Sequence, residues 1–266
     1  MITTTRGGGL AVLTYHAFAS RRSVTAVTPD WFAETLDRLA EAGFHAVDLQ
    51  DWVDRGRPDE PLGFALTFDD GLRSLLHVAE QLGARRLPAT IFVVTDRVGR
   101  SNDWPGQPRH VPTERLLDWS ELEALGGLGF RFGSHGTSHA HLDRLSPIRQ
   151  SEELRRSRET IEARLQRPCR LLAYPYGANG PDLRRSAALH YTAALGTRLG
   201  YADARQDPFQ LQRIDAFYLK TIRDLNALAT NRWRSHLAFR DAFRTARGRA
   251  TRWLGSDPGA LVRRVR

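Results

Sequence analysis

Two adjacent aspartates are the first residues in the sequence whose type and spacing could do chemistry. Asp69 and Asp70 lie in the segment TFDDG, residues 67–71, directly after an apolar run. Successive side chains at the end of a strand face different ways, so one carboxylate can bind a cation while the other accepts a proton. An aspartate before a helix is also a common helix cap. One Asp would be enough for a cap, and the pair therefore favours the catalytic interpretation.

A second candidate set is His135 and His139 in the segment GSHGTSH, residues 133–139. Two imidazoles four residues apart suit a small transition-metal ion, which binds neutral histidine nitrogen at about 2.0–2.1 Å. Two histidines and one carboxylate leave open positions on such an ion for water and substrate, as catalytic sites do. Alone, the histidine pair is more simply a pair of surface residues on a polar loop. Beside the aspartate pair, it indicates a metal site.

Short apolar runs alternate with amphipathic stretches along most of the chain. Helices are expected to open at Thr28-Pro29, after Gly71 and at Ser146-Pro147; two of these starts place a capping residue before a proline. The apolar runs are brief, and they are rich enough in β-branched and aromatic residues to be buried parallel strands. The predicted strands cover residues 10–15, 44–48, 64–68, 90–94, 130–133, 171–174, 191–195 and 211–214. This alternation predicts an α/β domain with a parallel sheet.

The polar clusters share one position, because each comes directly after a predicted strand. They are TFDDG, GSHGTSH, the segment AYPYG at residues 173–177, and the pair Tyr15-His16. In βα barrels the catalytic groups lie at the carboxyl ends of the strands. We therefore expect these four clusters to converge on one rim of the sheet.

Length and composition bound the organisation of the chain. The 266 residues, 41% of them hydrophobic, are enough for one substantial core, so one main domain with an appendage is expected. No stretch is long and apolar enough to span a bilayer, and the N-terminal segment is not typical of a secretory signal. These features favour a protein that is cytoplasmic or peripheral to a membrane, unless the N-terminus lacks an export segment. Cys169 is the only cysteine, which excludes an internal disulfide, and it is expected to be a small buried side chain.

The basic charge belongs mainly to the end of the chain. Residues 231–266 contain ten arginines against Asp241 and Asp257, an excess of eight positive charges within a net charge of +9. We therefore divide the chain into a catalytic domain, residues 1–220, and a basic helical extension, residues 221–266. The periodicity of residues 221–254 predicts one or two helices, with an apolar side formed by Phe239, Phe243, Ala246, Ala250 and Trp253.

Aromatic residues with interleaved arginines suit an anionic membrane surface, which is one possible partner of the extension. A helix packed on the main domain with a solvated basic face explains the pattern at least as well. Nucleic acid is not the expected partner, because the chain has no recognised nucleic-acid motif and the excess charge lies outside the core.

TFDDG together with HGTSH resembles the first two motifs of the NodB-homology polysaccharide deacetylases, carbohydrate esterase family 4. LPATIFVV after the first motif and WSELEALGGLGFRFGSHGTSHAHLDRLS around the second also match, AYPYG looks like the third motif, and the resemblance covers roughly residues 10–215. It implies a distorted βα barrel of about seven strands, to which this chain adds the C-terminal helical basic extension described above. It also implies a divalent metal, usually zinc, bound by Asp70, His135 and His139. By the same resemblance, Asp69 is the base that deprotonates water, and the backbone N–H of Tyr176 helps to hold the oxyanion.

The sequence departs from the family pattern at the residue that orients the base. The third motif commonly begins with an arginine, and AYPYG has none. Arg213, in the last predicted strand, is our preferred substitute. An ordinary ion pair between Arg213 and Asp215, or another acid, is an equally good explanation of its position.

The usual Leu-x-His of the fifth motif is also missing, so the general acid must come from elsewhere. His16 ends the first predicted strand, and the first and last strands of a closed barrel are neighbours. The sequence resembles the branch of the family that acts on poly-N-acetylglucosamine, in which a Tyr-His near the start is typical. We therefore assign His16 as the acid, with a hydrogen-bonded rim histidine as the alternative.

The function expected from these features is metal-dependent removal of acetyl groups from N-acetylhexosamine units of a glycan. The same site could instead act on O-acetyl esters or on a small non-sugar amide. A non-catalytic glycan-binding homologue is the remaining alternative, but a pure binder has no need of a base beside a metal.

Overall fold

A computed structural model describes residues 8–108, 111–177, 179–228 and 230–253. The strands are β1 (Ala11–Tyr15), β2 (Ala17–Phe18), β3 (Ala26–Val27), β4 (His45–Ala46), β5 (Gly63–Phe68), β6 (Ala89–Val93), β7 (Arg131–Ser134), β8 (Leu171–Ala173), β9 (Ala193–Leu199) and β10 (Leu211–Asp215). The α-helices are α1 (Pro29–Glu41), α2 (Leu49–Asp54), α3 (Leu76–Ala84), α4 (Trp119–Gly127), α5 (Pro147–Leu165), α6 (Pro181–Ala188), α7 (Ile222–Ala227) and α8 (Asn231–Trp253). All eight predicted strands are present within a few residues of their expected bounds.

Seven parallel strands close into a barrel. The strands β5 to β10 pair in chain order, β10 pairs with β1, and β1 pairs with β5 to complete the ring. The short strand β4 adds to the beginning of β5. The predicted distorted seven-stranded βα barrel is therefore confirmed, and the first and last strands are neighbours as expected.

Side chains along each strand point alternately into the barrel and outward toward the helices, so the strands separate two apolar layers. Val12, Ala65 and Phe92 belong to a buried cluster inside the barrel, to which Leu49 and Trp52 of α2 also contribute. The neighbouring strand residues instead join the layer between the barrel and the helices. Both faces of each strand are thus covered, as the continuous apolar runs in the sequence require.

The helix predicted to start directly after Gly71 begins later. Gly71 has a left-handed backbone (φ 71°), and the chain then pairs through Leu72 with Leu116 before α3 starts at Leu76. The two starts predicted from a cap and a proline are correct: Thr28 caps α1 and Ser146 caps α5, each followed by proline. Cys169 is buried and free, as predicted.

The C-terminal helices pack on the barrel. On α8, Trp233, Leu237 and Asp241 are buried, whereas Phe239 and Phe243 are 71% and 63% exposed. The side chains of Ala246, Ala250 and Trp253, predicted to continue the line of the two phenylalanines, lie outside the described residues, as do residues 254–266. None of the helices in the described part of the chain has the length and apolar character needed to cross a membrane.

Candidate active site

Asp69 and Asp70 follow the last residue of β5 and reach different partners. The backbone N–H of Asp69 donates to the carbonyl of Tyr15 at 2.9 Å, which extends the pairing of β5 with β1 by one residue. Asp70 then has a left-handed backbone (φ 71°), a conformation uncommon for residues other than glycine. This turn ends the strand abruptly and allows the two adjacent carboxylates to belong to two separate sets of contacts.

The first set joins Asp70 to His135 and His139. The Oδ1 atom of Asp70 lies 3.4 Å from Nε2 of His135 and 3.2 Å from Nε2 of His139. One ligand atom from each of the three buried residues lies within 4.8 Å of the others. The structure therefore brings together the three residues that the sequence assigned to the metal.

The chemistry of these three residues fits a divalent cation. Nδ1 of His135 lies 2.7 Å from the carbonyl oxygen of Ala173, which can only accept, so Nδ1 carries the proton and the lone pair of Nε2 faces Asp70. Oδ1 of Asp70 is buried and has no hydrogen-bond partner among the described residues. Burial raises the pKa of Asp70, but the positive charge and hydrogen bonds that His135 and His139 supply when they are protonated outweigh it and hold the pKa well below its usual value. An ionised oxygen and imidazole nitrogens that converge in this way can bind a metal.

The loop between the two histidines is held by α5. Glu153 accepts hydrogen bonds from the backbone N–H groups of Thr137 (2.7 Å) and Ser138 (3.1 Å), and from the hydroxyl of Ser138. His139 itself has a left-handed backbone (φ 60°). Because Glu153 fixes the residues before this turn, it positions His139 toward Asp70. Sequence reasoning missed Glu153, which is one of several charged residues along α5.

The second set joins Asp69 to Arg213 of β10. Two parallel hydrogen bonds link the guanidinium to the carboxylate, at 2.7 Å and 2.8 Å, and Nε of Arg213 donates to the carbonyl of Gly196. Both side chains are 4% exposed. Burial raises the pKa of Asp69, but Arg213, with smaller contributions from His135 and His16, outweighs it and lowers the pKa overall. Arg213 thus contacts Asp69, and Asp215 instead caps the turn that follows β10.

His16 also lies close to Asp69. Its Nε2 atom is 3.9 Å from Oδ2 of Asp69, and its side chain is 26% exposed. It follows β1, which lies between β5 and β10 in the barrel. This topology explains why residues 16, 69 and 213 meet despite their separation in the sequence.

Aromatic side chains cover His139. Tyr176, which has a left-handed backbone (φ 59°), packs edge-on against His139 and stacks on His141. Trp104 stacks on the ring of His139, with ring centroids 4.0 Å apart, and is 2% exposed. Sequence reasoning missed Trp104, although a tryptophan in the polar, proline-containing segment SNDWPGQP is a signal of an anchored loop.

Two clefts meet at this site. One, of about 200 Å³, is lined by Asp69 and Asp70, His135 and His139, and Trp104 and Tyr176. A second, of about 460 Å³, runs between the end of β1 and the segment after β10. His16 and Thr25 line both clefts, so the two form adjoining spaces on either side of His16.

The buried ion pair between Asp69 and Arg213 predicts how substitutions change the free energy of unfolding. Arg213→Gln leaves the carboxylate of Asp69 buried and uncompensated, and should lower the free energy of unfolding by about 3–5 kcal/mol. Adding Asp69→Asn removes the uncompensated charge, so the double variant should recover much of that loss. Urea unfolding measures both. Arg170→Gln, which breaks an exposed ion pair with Asp54, is the control and should cost less than about 1 kcal/mol. A double variant no more stable than Arg213→Gln would contradict this account.

Comparison with known proteins agrees with this geometry. The sequence profile of the family described as polysaccharide deacetylase matches residues 56–194. YxkH of Bacillus subtilis is 22% identical over an alignment of 222 positions that covers 80% of this chain and 73% of YxkH.

Solved structures with the same fold include two that match this chain over nearly the whole length of the solved protein. IcaB from Ammonifex degensii superposes with a TM-score of 0.70 at 24% identity, over 85% of this chain and 97% of IcaB. The Streptococcus pyogenes deacetylase PplD, solved in complex with acetate, gives 0.67 at 22% identity, over 78% of this chain and 92% of PplD. At these identities the structures show the fold, whereas the family profile extends over more than half of the chain. The protein therefore belongs to the polysaccharide deacetylase family, whose members are hydrolytic enzymes.

Proposed function

We propose that the protein removes acetyl groups from N-acetylhexosamine units of a glycan, with a divalent cation bound by Asp70, His135 and His139. The observation that carries this proposal is the position of an ionised Asp69, held by Arg213, directly beside that three-residue set. Zn²⁺ is the proposed ion, because it takes mixed imidazole and carboxylate ligands and keeps an open position in catalytic sites. Such an ion would polarise the acetyl carbonyl and acidify water.

Asp69 is the proposed base. Its lowered pKa keeps it ionised at neutral pH, so it can accept the proton of the attacking water. The two hydrogen bonds from Arg213 fix the plane of the carboxylate. Arg213 is therefore a positioning residue rather than a group that touches substrate.

His16 is the proposed acid. The amine that leaves an acetamide needs a proton, and an imidazole can supply it near neutral pH. His16 is partly exposed, close to Asp69 and on the lining of both clefts, which supports its assignment as the acid. The backbone N–H of Tyr176 is proposed to help hold the developing oxyanion, since its residue turns beside His139.

The adjoining clefts support a glycan as the substrate class. The smaller cleft holds the proposed chemical groups and has room for an acetamido group with part of its sugar ring. The larger cleft beyond His16 offers space for a neighbouring sugar unit. Poly-N-acetylglucosamine is the polymer that the Tyr15-His16 motif favours. Acetyl esters, small non-sugar amides and binding without turnover are the competing functions.

The metal proposal is tested by acetate release from N-acetylglucosamine oligomers. A chelator should abolish release and Zn²⁺ should restore it. His135→Ala and His139→Ala should each lose most of the roughly one bound ion per chain. His141→Ala, on the same loop but outside the set, is the control and should keep its metal. Full metal content in both of the first two variants would remove the site from these residues.

The base proposal predicts that Asp69→Asn keeps its metal but loses turnover. An amide cannot accept the proton of water, and loss of one such group typically costs on the order of 10²–10⁴ in rate. Steady-state acetate release and metal analysis on the same preparation measure the two quantities. Asp70→Asn is the matched variant and should instead weaken metal binding. Near wild-type turnover by Asp69→Asn would mean that this residue only ends the strand.

The acid proposal predicts a difference between two substrates. His16→Ala should keep its metal and fold, lose turnover on the acetamide, and lose less on an activated acetyl ester, whose leaving group needs no proton. Rates on both substrates with one enzyme preparation give the ratio. An equal loss on both substrates, or a loss of bound metal, would show that His16 shapes the site instead.

A further inference from the structure

The helix α8 has a well-defined inner face against the barrel. Trp233, Leu237 and Asp241 follow one another at four-residue spacing and are buried. Asp241 accepts a hydrogen bond from the backbone N–H of Leu199 (2.9 Å) and one from Nε of Arg198 (3.1 Å). These contacts fix which side of the helix faces away from the protein.

The outer face carries two large apolar side chains. Phe239 and Phe243 lie one turn apart, 71% and 63% exposed. At 3.6 residues per turn, both project from the side roughly opposite Leu237. Single exposed apolar residues are ordinary, but two adjacent phenylalanines on the solvent side of one helix form an apolar strip that the described part of the chain leaves uncovered.

The charge around this strip is positive. Arg232 and Arg240 are exposed on the same helix, and the guanidinium of Arg240 lies 5.0 Å from the ring of Tyr218. The acid within the described part of α8 is Asp241, which is buried and bonded on the inner face. Over residues 231–266 the sequence has ten arginines against two aspartates. An apolar strip within such a surface matches a partner that is anionic and has an apolar interior.

We propose that the outer face of α8 docks on the surface of an anionic phospholipid bilayer. Phe239 and Phe243 enter the boundary between headgroups and acyl chains, and the arginines contact the phosphates. A helix with an apolar strip and basic flanks lies in the plane of the interface, where apolar burial and electrostatic attraction both contribute. A nucleic acid would use the arginines but would leave the two phenylalanines in water. The proposal does not depend on the deacetylase function.

Vesicle sedimentation of the full chain tests the proposal. The protein should sediment with vesicles of mixed phosphatidylcholine and phosphatidylglycerol, and much less with phosphatidylcholine alone or at high salt. The double variant Phe239→Ser, Phe243→Ser should lower partitioning about tenfold or more, because it removes the inserted side chains. Circular dichroism should show an unchanged fold, since both side chains face away from the core.

The matched control is Ile148→Ser, Leu189→Ser. These side chains are 74% and 76% exposed, on α5 and directly after α6. The control should sediment like the unaltered protein. Equal sedimentation of the phenylalanine variant and the control, or equal binding to neutral and anionic vesicles, would overturn the proposal. Tight binding of an RNA or DNA duplex that does not need the phenylalanines, without binding to vesicles, would assign the face to nucleic acid instead.

Discussion

The buried ion pair between Asp69 and Arg213 links the closure of the barrel to its chemistry. Asp69 follows β5, Arg213 lies in β10, and β1 separates these two strands in the ring. Desolvation of two charges is costly, and only good geometry with further hydrogen bonds offsets that cost. The two parallel bonds and the contact of Arg213 with Gly196 provide this geometry. The barrel must therefore close in the correct register for the carboxylate of Asp69 to be stabilised at all.

Most of the architecture could be predicted because a parallel strand that is covered on both faces appears in the sequence as a short, continuous apolar run. The same runs predicted that Asp70, His135 and His139 meet, since the carboxyl ends of parallel strands share one rim. The strands β2 and β3 have two residues each, which is too short for a strand pattern to be recognised in the sequence. The helix α8 shows a different limit. Its sequence contains apolar residues at helical spacing on both sides, so periodicity selected Phe239 and Phe243, while the barrel packs on Trp233 and Leu237.

Backbone conformation at the site was beyond sequence reasoning. Asp70, His139 and Tyr176 all have positive φ angles, between 59° and 71°. Sequence patterns place glycine in such conformations, because other residues adopt them at a cost of order 1–3 kcal/mol. The tight turns redirect each side chain at the end of its strand toward a common point. Long-range supports such as Glu153 on α5 were equally hidden, because no local pattern relates them to the loop that they hold.

The hydrogen bond from His135 to the carbonyl of Ala173 has an evolutionary consequence. A main-chain oxygen is present whichever amino acid occupies position 173, so the choice of imidazole tautomer is insensitive to mutation there as long as the strand persists. The loop before His139 depends instead on one carboxyl group, that of Glu153. The two histidines are thus unequally robust to sequence drift: homologues could vary freely beside the first, whereas the second ties one position of a distant helix to a matching acidic residue.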